Sequence, residues 1–116
     1  GYAVSVRLEF TADTLDDRNW VVDFGGLKQL KKTLQDTFDH KTLVAIDDPL
    51  IDWFRQAEKL KLLDLTLVSH TGCEAFAKLV WEQATEWLCD YDKEDRVSCS
   101  LVEVKEHGAN SAIYRP

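Results

Sequence analysis

The stretch from Asn19 to Lys28 reads Asn-Trp-Val-Val-Asp-Phe-Gly-Gly-Leu-Lys, and it constrains the fold more than any other. Val21-Val22 is β-like, Asp23 is placed to cap, and Gly25-Gly26 break the extended run before a helix opens. Leu27, Leu30, Leu34 and Phe38 then recur at helical spacing, which leaves Lys28, Lys31 and Lys32 for solvent. At its C-terminal end this helix delivers an adjacent acid and imidazole, Asp39-His40. The chain is therefore α+β, with a strand-to-helix turn near its front.

The remaining segments supply strands and helices around that unit. From Tyr2 to Phe10 the pattern alternates, with Val4, Val6, Leu8 and Phe10 on one face and Ser5, Arg7 and Glu9 on the other. An acidic turn follows, in which Asp16 and Asp17 read as solvated and capping groups rather than a cation site. Asp48 as N-cap and Pro49 at the first helical position predict a second helix with the stripe Leu50, Trp53, Phe54, Ala57 and Leu60. Leu65 to Val68 is extended. Thr71-Gly72-Cys73-Glu74 has capping-box spacing and starts a third helix through Phe76, Val80, Trp81 and Trp87. Val97 to Glu106 alternates again, and Ala112 to Tyr114 is a short final strand. No repeats or linkers divide the 116 residues, which are read as one domain.

Composition limits the function classes. A net charge of −7 argues against a nucleic-acid surface, which needs clustered Lys and Arg. No apolar run approaches the roughly 20 residues that span a bilayer, and there is no signal-peptide pattern. The three cysteines lack CxxC spacing and read as reduced thiols of a cytoplasmic protein. There is no Met in the sequence, which leads us to expect that its natural N-terminus lies upstream.

Each chemical candidate has a plain structural alternative. His40 beside Asp39 fits a general base oriented by a carboxylate, although neighbours on a helix face apart unless the helix ends there. On the residues alone, His40 is a dipole-favoured surface histidine. Glu106 shares a strand face with Val102 and Val104, while Glu103 takes the other. A carboxylate there can accept two hydrogen bonds from an amino-pyrimidinone edge, or can simply be solvated. Glu74 is explained by capping without any ligand. Cys73 at a helix start is either an activated nucleophile or, the better reading, a small apolar packing residue. His40, His70 and His107 have no partner at metal-ligand spacing, so no zinc site can be built from one copy of the protein.

Three ordered blocks together resemble the 6-pyruvoyl tetrahydropterin synthase / 6-carboxytetrahydropterin synthase family. They are Val21-Val22-Asp23-Phe24 through Leu27-Lys28, then Asp39-His40, then Val104-Lys105-Glu106 with Ile113-Tyr114. The resemblance implies a tunnelling fold, in which an antiparallel sheet carries helices on one face and joins other subunits in a barrel. It implies a homo-oligomer, a hexamer of two trimers, with active sites at subunit interfaces and a small-molecule pterin as substrate. The activity implied is that of a 6-carboxytetrahydropterin synthase converting 7,8-dihydroneopterin triphosphate on the way to 7-deazaguanine compounds such as queuosine. The alternatives are a 6-pyruvoyl tetrahydropterin synthase and a non-catalytic pterin- or purine-binding oligomer.

By the same resemblance, Asp39 and His40 form a proton relay with a cysteine, Glu106 anchors the pterin ring, and Glu74 matches the Glu of "P-T-x-E-N". Zinc is the implied cofactor, polarising the substrate's side-chain hydroxyls. Its His-x-His motif belongs before Gly1, so a first strand and a zinc-binding segment are expected to be missing from this sequence. None of Cys73, Cys89 or Cys99 matches the family's catalytic cysteine. Two further departures are His107 in place of the usual Thr, and a longer segment from Leu43 to His70 with an extra helix that lids the pocket or pads a subunit contact.

Overall fold

The computed structural model describes residues 4–106 and 110–116, so Tyr2 and the His107 departure lie outside the described residues. Strand β1 (Val4–Ala12) pairs antiparallel with β4 (Val97–Glu106), and β5 (Ser111–Tyr114) takes the other edge of β4. Along β1 half-buried and exposed residues alternate, as a strand with one packed face requires. On β4 the expected simple alternation is interrupted. Val104 and Val102 lie opposite Val6 and Leu8, but Cys99 and Val97 lie opposite Phe10 and Ala12. The register slips between Glu9 and Phe10, leaving Ser100 as the extra residue of a β-bulge that resets the phase.

Helix α3 (Cys73–Tyr91) crosses the packed face of this sheet. Its Phe76, Ala77, Val80, Ala84, Trp87 and Leu88 are buried, and Val80, Val102 and Val104 are fully enclosed. Burial of each large apolar residue contributes about 1.5–3 kcal/mol, so this layer rather than helix propensity fixes the architecture. Trp81 reaches its indole N–H to the Cys99 carbonyl at 2.9 Å and tilts against Tyr114 at 5.3 Å between ring centroids. An antiparallel sheet with helices on one face is the α+β arrangement expected.

Residues 21–23 form a bend, not the strand read from Val21-Val22. The Arg96 guanidinium donates to the carbonyls of Thr14, Trp20 and Val21, so a guanidinium takes the place of a neighbouring strand. Asp23 accepts from the Gly25 N–H at 2.8 Å and caps a single 3-10 turn (Phe24–Gly26) that runs into α1 (Leu27–Phe38). Gly26 is required because the Tyr91 ring occupies the space where a Cβ would sit.

The segment after α1 is a βαβ unit, not only a helix. β2 (Thr42–Ala45) and β3 (Leu65–Val68) pair in parallel, joined by α2 (Ile51–Lys59). Helix α2 starts two residues later than Pro49 implied, because the Asp48 carboxylate binds the Leu50 N–H at 2.8 Å and holds a turn there. Of its apolar stripe only Ala57 is buried and Phe54 half-buried, while Leu50, Trp53 and Leu60 are exposed. Two four-residue strands are too narrow to cover a helix. The capping box before α3 also does not form. Gly72, at φ 109°, is the N-cap, and the helix start receives no hydrogen bond from a capping side group.

Candidate functional site

Helix α1 and strand β1 face each other without closing. Val4, Val6 and Leu8 line one wall of an open hollow, and Leu30, Leu34 and Phe38 line the other. The molecule is correspondingly extended, with a radius of gyration of 16.2 Å against about 13 Å for a compact domain of this length. Phe38 packs edge-on against Phe76 at 5.6 Å, which ties the C-terminal end of α1 to α3. Asp39, His40, Thr71 and Gly72 belong to the same lining.

The Asp39-His40 pair is produced by the way α1 stops. The Asp39 N–H closes on the Gln35 carbonyl at 2.8 Å, His40 takes a left-handed backbone with φ 55°, and the Lys41 N–H returns to the Phe38 carbonyl at 3.3 Å. That position favours glycine, and a residue with a Cβ held there costs about 1–2 kcal/mol. Ending the helix lets neighbours meet: His40 Nε2 lies 3.6 Å from Asp39 Oδ1. Both side chains reach solvent, with 92% of His40 and 62% of Asp39 exposed. His40 also borders a second, small cleft with Glu58, Lys61 and Asp64 of the βαβ unit.

Glu106 is placed by register. It pairs with Val4 at the end of the β1/β4 ladder, so its side chain shares the face of Val4 and Val104 that walls the hollow. Glu103 points to the other face, where Arg7 binds it at 3.3 Å. The thiol of Cys73, at the start of α3, is pushed up from its ordinary pKa by burial and then by the facing Glu106 carboxylate. A thiol held protonated in this way is not the activated nucleophile considered from its helix-start position. Glu74 is exposed and folds its carboxylate back towards Gly72 on the rim of the hollow. Asp39, His40, Glu106 and Glu74 thus lie around one concavity, reached from α1, β4 and α3.

The implied zinc has no ligand set here. Among the described residues no group of three or more His, Cys, Asp or Glu side chains converges as a metal site.

Sequence reasoning passed over other lining residues. Lys31 and Gln35 face the hollow from α1, and Asp48 and Phe54 face it from the βαβ unit. For the first two a signal existed, since Lys31, Gln35 and Asp39 follow one another at i, i+4 and i+8. No such signal marked Asp48 and Phe54, which reach the hollow only because β2 and β3 pair.

Comparison with known proteins agrees with this architecture. The family model described as 6-pyruvoyl tetrahydropterin synthase matches residues 1–116. A crystal structure of an uncharacterized protein from Wolinella succinogenes superimposes with a TM-score of 0.77 at 20% identity, over 97% of this protein and 76% of that one. At that identity the likeness is one of fold. No curated protein sequence matches this one.

Proposed function

This protein belongs to the 6-pyruvoyl tetrahydropterin synthase family, whose enzymes are lyases acting on pterins, and we propose that it is a 6-carboxytetrahydropterin synthase-like lyase for 7,8-dihydroneopterin triphosphate. The observation that carries the reading is the Asp39-His40 pair. An imidazole is held at a left-handed helix end where glycine would be easier, 3.6 Å from a carboxylate and on the wall of a hollow. Strain of this kind, retained at a rim, supports a functional role.

In this reading His40 accepts a proton from the substrate carbon that bears a hydroxyl, and the triphosphate leaves with its C–O bonding electrons. Asp39 orients the imidazole and stabilises the imidazolium. Glu106 accepts two hydrogen bonds from the amino-pyrimidinone edge and fixes the ring relative to His40. Glu74 lies at the rim over Gly72, placed to bind the ring's other polar edge. The described residues do not assemble a zinc site, so no step is drawn through the metal. His40 is nearly bare in a single subunit, which supports completion of the site at a subunit interface in a homo-oligomer.

The test is mass-spectrometric product analysis after incubation with 7,8-dihydroneopterin triphosphate, with and without added zinc. A carboxy-pterin with released acetaldehyde is expected, and its dependence on zinc decides the cofactor. A pyruvoyl-pterin would instead assign the 6-pyruvoyl reaction. Unchanged substrate that still binds, with Glu106→Gln abolishing the binding, would replace the enzyme by a pterin-binding oligomer. Glu106→Gln should weaken pterin binding by a factor of about 10 to 100, the loss of a charge-assisted pair.

A further inference from the structure

Helix α1 carries three lysines that the sequence alone leaves equivalent. The structure separates them. Lys32 binds Asp36 at 3.6 Å on the outer face, and neither it nor Lys28 belongs to the hollow. Lys31 lines the hollow, and among the described residues its ammonium pairs with no carboxylate. Lys41, the other lysine of the lining, already has Asp64 at 3.9 Å. Lys31, Gln35 and Asp39 succeed each other along one edge of the helix, and eight residues at the helical rise separate Lys31 from Asp39 by about 12 Å. An extended triphosphate, met by the reach of a lysine, spans a comparable distance.

We propose that Lys31 is the phosphate-binding residue of the site, with Gln35 as an intermediate hydrogen-bond donor, so that α1 measures a polyphosphate away from the reacting carbons at Asp39-His40. This rests on the pterin triphosphate reading and adds the group that recognises the leaving group. The protein as a whole carries a net charge of −7, so an anionic ligand must be drawn in by a local cation rather than by the overall field. Lysine suits the task as a point charge for phosphate.

The experiment measures binding to the full-length protein by calorimetry, using inorganic triphosphate, 7,8-dihydroneopterin and its triphosphate as separate probes. Lys31→Ala is compared with Lys32→Ala, which removes the same charge from the same helix, and with Lys31→Arg. Lys31→Ala should weaken both phosphate-bearing ligands by at least about tenfold, with Lys31→Arg restoring most of it. Lys32→Ala should change binding by less than about twofold, as an exposed pair does. Binding of unphosphorylated dihydroneopterin should be the same in all variants. Equal losses in Lys31→Ala and Lys32→Ala, or no binding of inorganic triphosphate to the unmodified protein, would overturn the proposal. Failure of dihydroneopterin to bind, with the Lys31 effect on inorganic triphosphate intact, would instead remove the pterin reading and leave the phosphate site standing.

Discussion

Replacing His40 with glycine separates the structural demand of its position from the chemical one. The backbone at His40 is left-handed, at φ 55°. Releasing that strain is worth about 1–2 kcal/mol. Against this stands the extra freedom of glycine in the unfolded state, about 0.4–1 kcal/mol. The lost Asp39 contact counts for little, because at 3.6 Å with both side chains largely exposed it is screened by water. The net expectation is a gain of about 0.5–1 kcal/mol. For 116 residues the unfolding entropy is about 0.25 kcal/mol per kelvin, so Tm should rise by about 2–4 °C. Thermal unfolding at fixed protein concentration reads the first effect, and product formation from the pterin triphosphate reads the second. The two should move in opposite directions, with stability up and turnover lost. A glycine variant that keeps its activity would refute the catalytic assignment. One that melts lower than the parent would show that the imidazole is held by contacts, not held against strain.

Arg96 gathers the carbonyls of Thr14, Trp20 and Val21 from a partly buried position, so Arg96→Ala should cost about 2–3 kcal/mol, and Arg96→Lys should recover only part because one ammonium cannot span all three; urea denaturation measures both, and a loss below about 1 kcal/mol would show that the loop holds without the clamp. Burial pushes the Cys99 thiol up to about 11 from 9.0, against a smaller opposing effect of the Leu101 carbonyl. The folded state therefore holds this proton more tightly than the unfolded state. The contribution is complete below pH 9 and is lost as pH rises towards 11, on the order of 2 kcal/mol in all. Cys99→Ala should flatten the fall in stability across that window, and parallel curves for the two proteins would contradict it.

How much of this was legible in the sequence depended on the range of the interaction. Period-two alternation placed Val4 to Phe10 on one face, and 3.6-residue periodicity gave α1 and α3, because those patterns record burial against one large neighbour. Asp39-His40 was visible as a helix end, but the left-handed backbone that brings the pair together was not. What failed were elements defined by partners distant in sequence. Val21-Val22 has strand propensity, but the guanidinium of Arg96, 75 residues away, takes the Val21 carbonyl. Thr42–Ala45 is too short to show a period, and it is a strand only because Leu65–Val68 lies beside it. The capping box before α3 is a local rule overridden by Gly72 at φ 109°.

The bulge at Ser100 shows how such a detail reaches the site. Val97 and Cys99 are buried, and so are Val102 and Val104, yet the step from Cys99 to Val102 is an odd number of positions. In an ideal strand one pair would face water, leaving two apolar residues unburied at about 1.5–3 kcal/mol each. One unpaired residue between them lets both pairs reach the core opposite β1. The same reset decides where Glu106 points. Counted from Val97 without the bulge, position 106 falls on the outer face beside Arg7 and Glu9. Counted with it, Glu106 joins Val102 and Val104 on the inner face and meets Cys73 at the start of α3. Core packing and the proposed ring anchor are thus set by one event in the β1/β4 ladder. A change that repairs the alternation of β4 would therefore disturb the core and remove Glu106 from the hollow together.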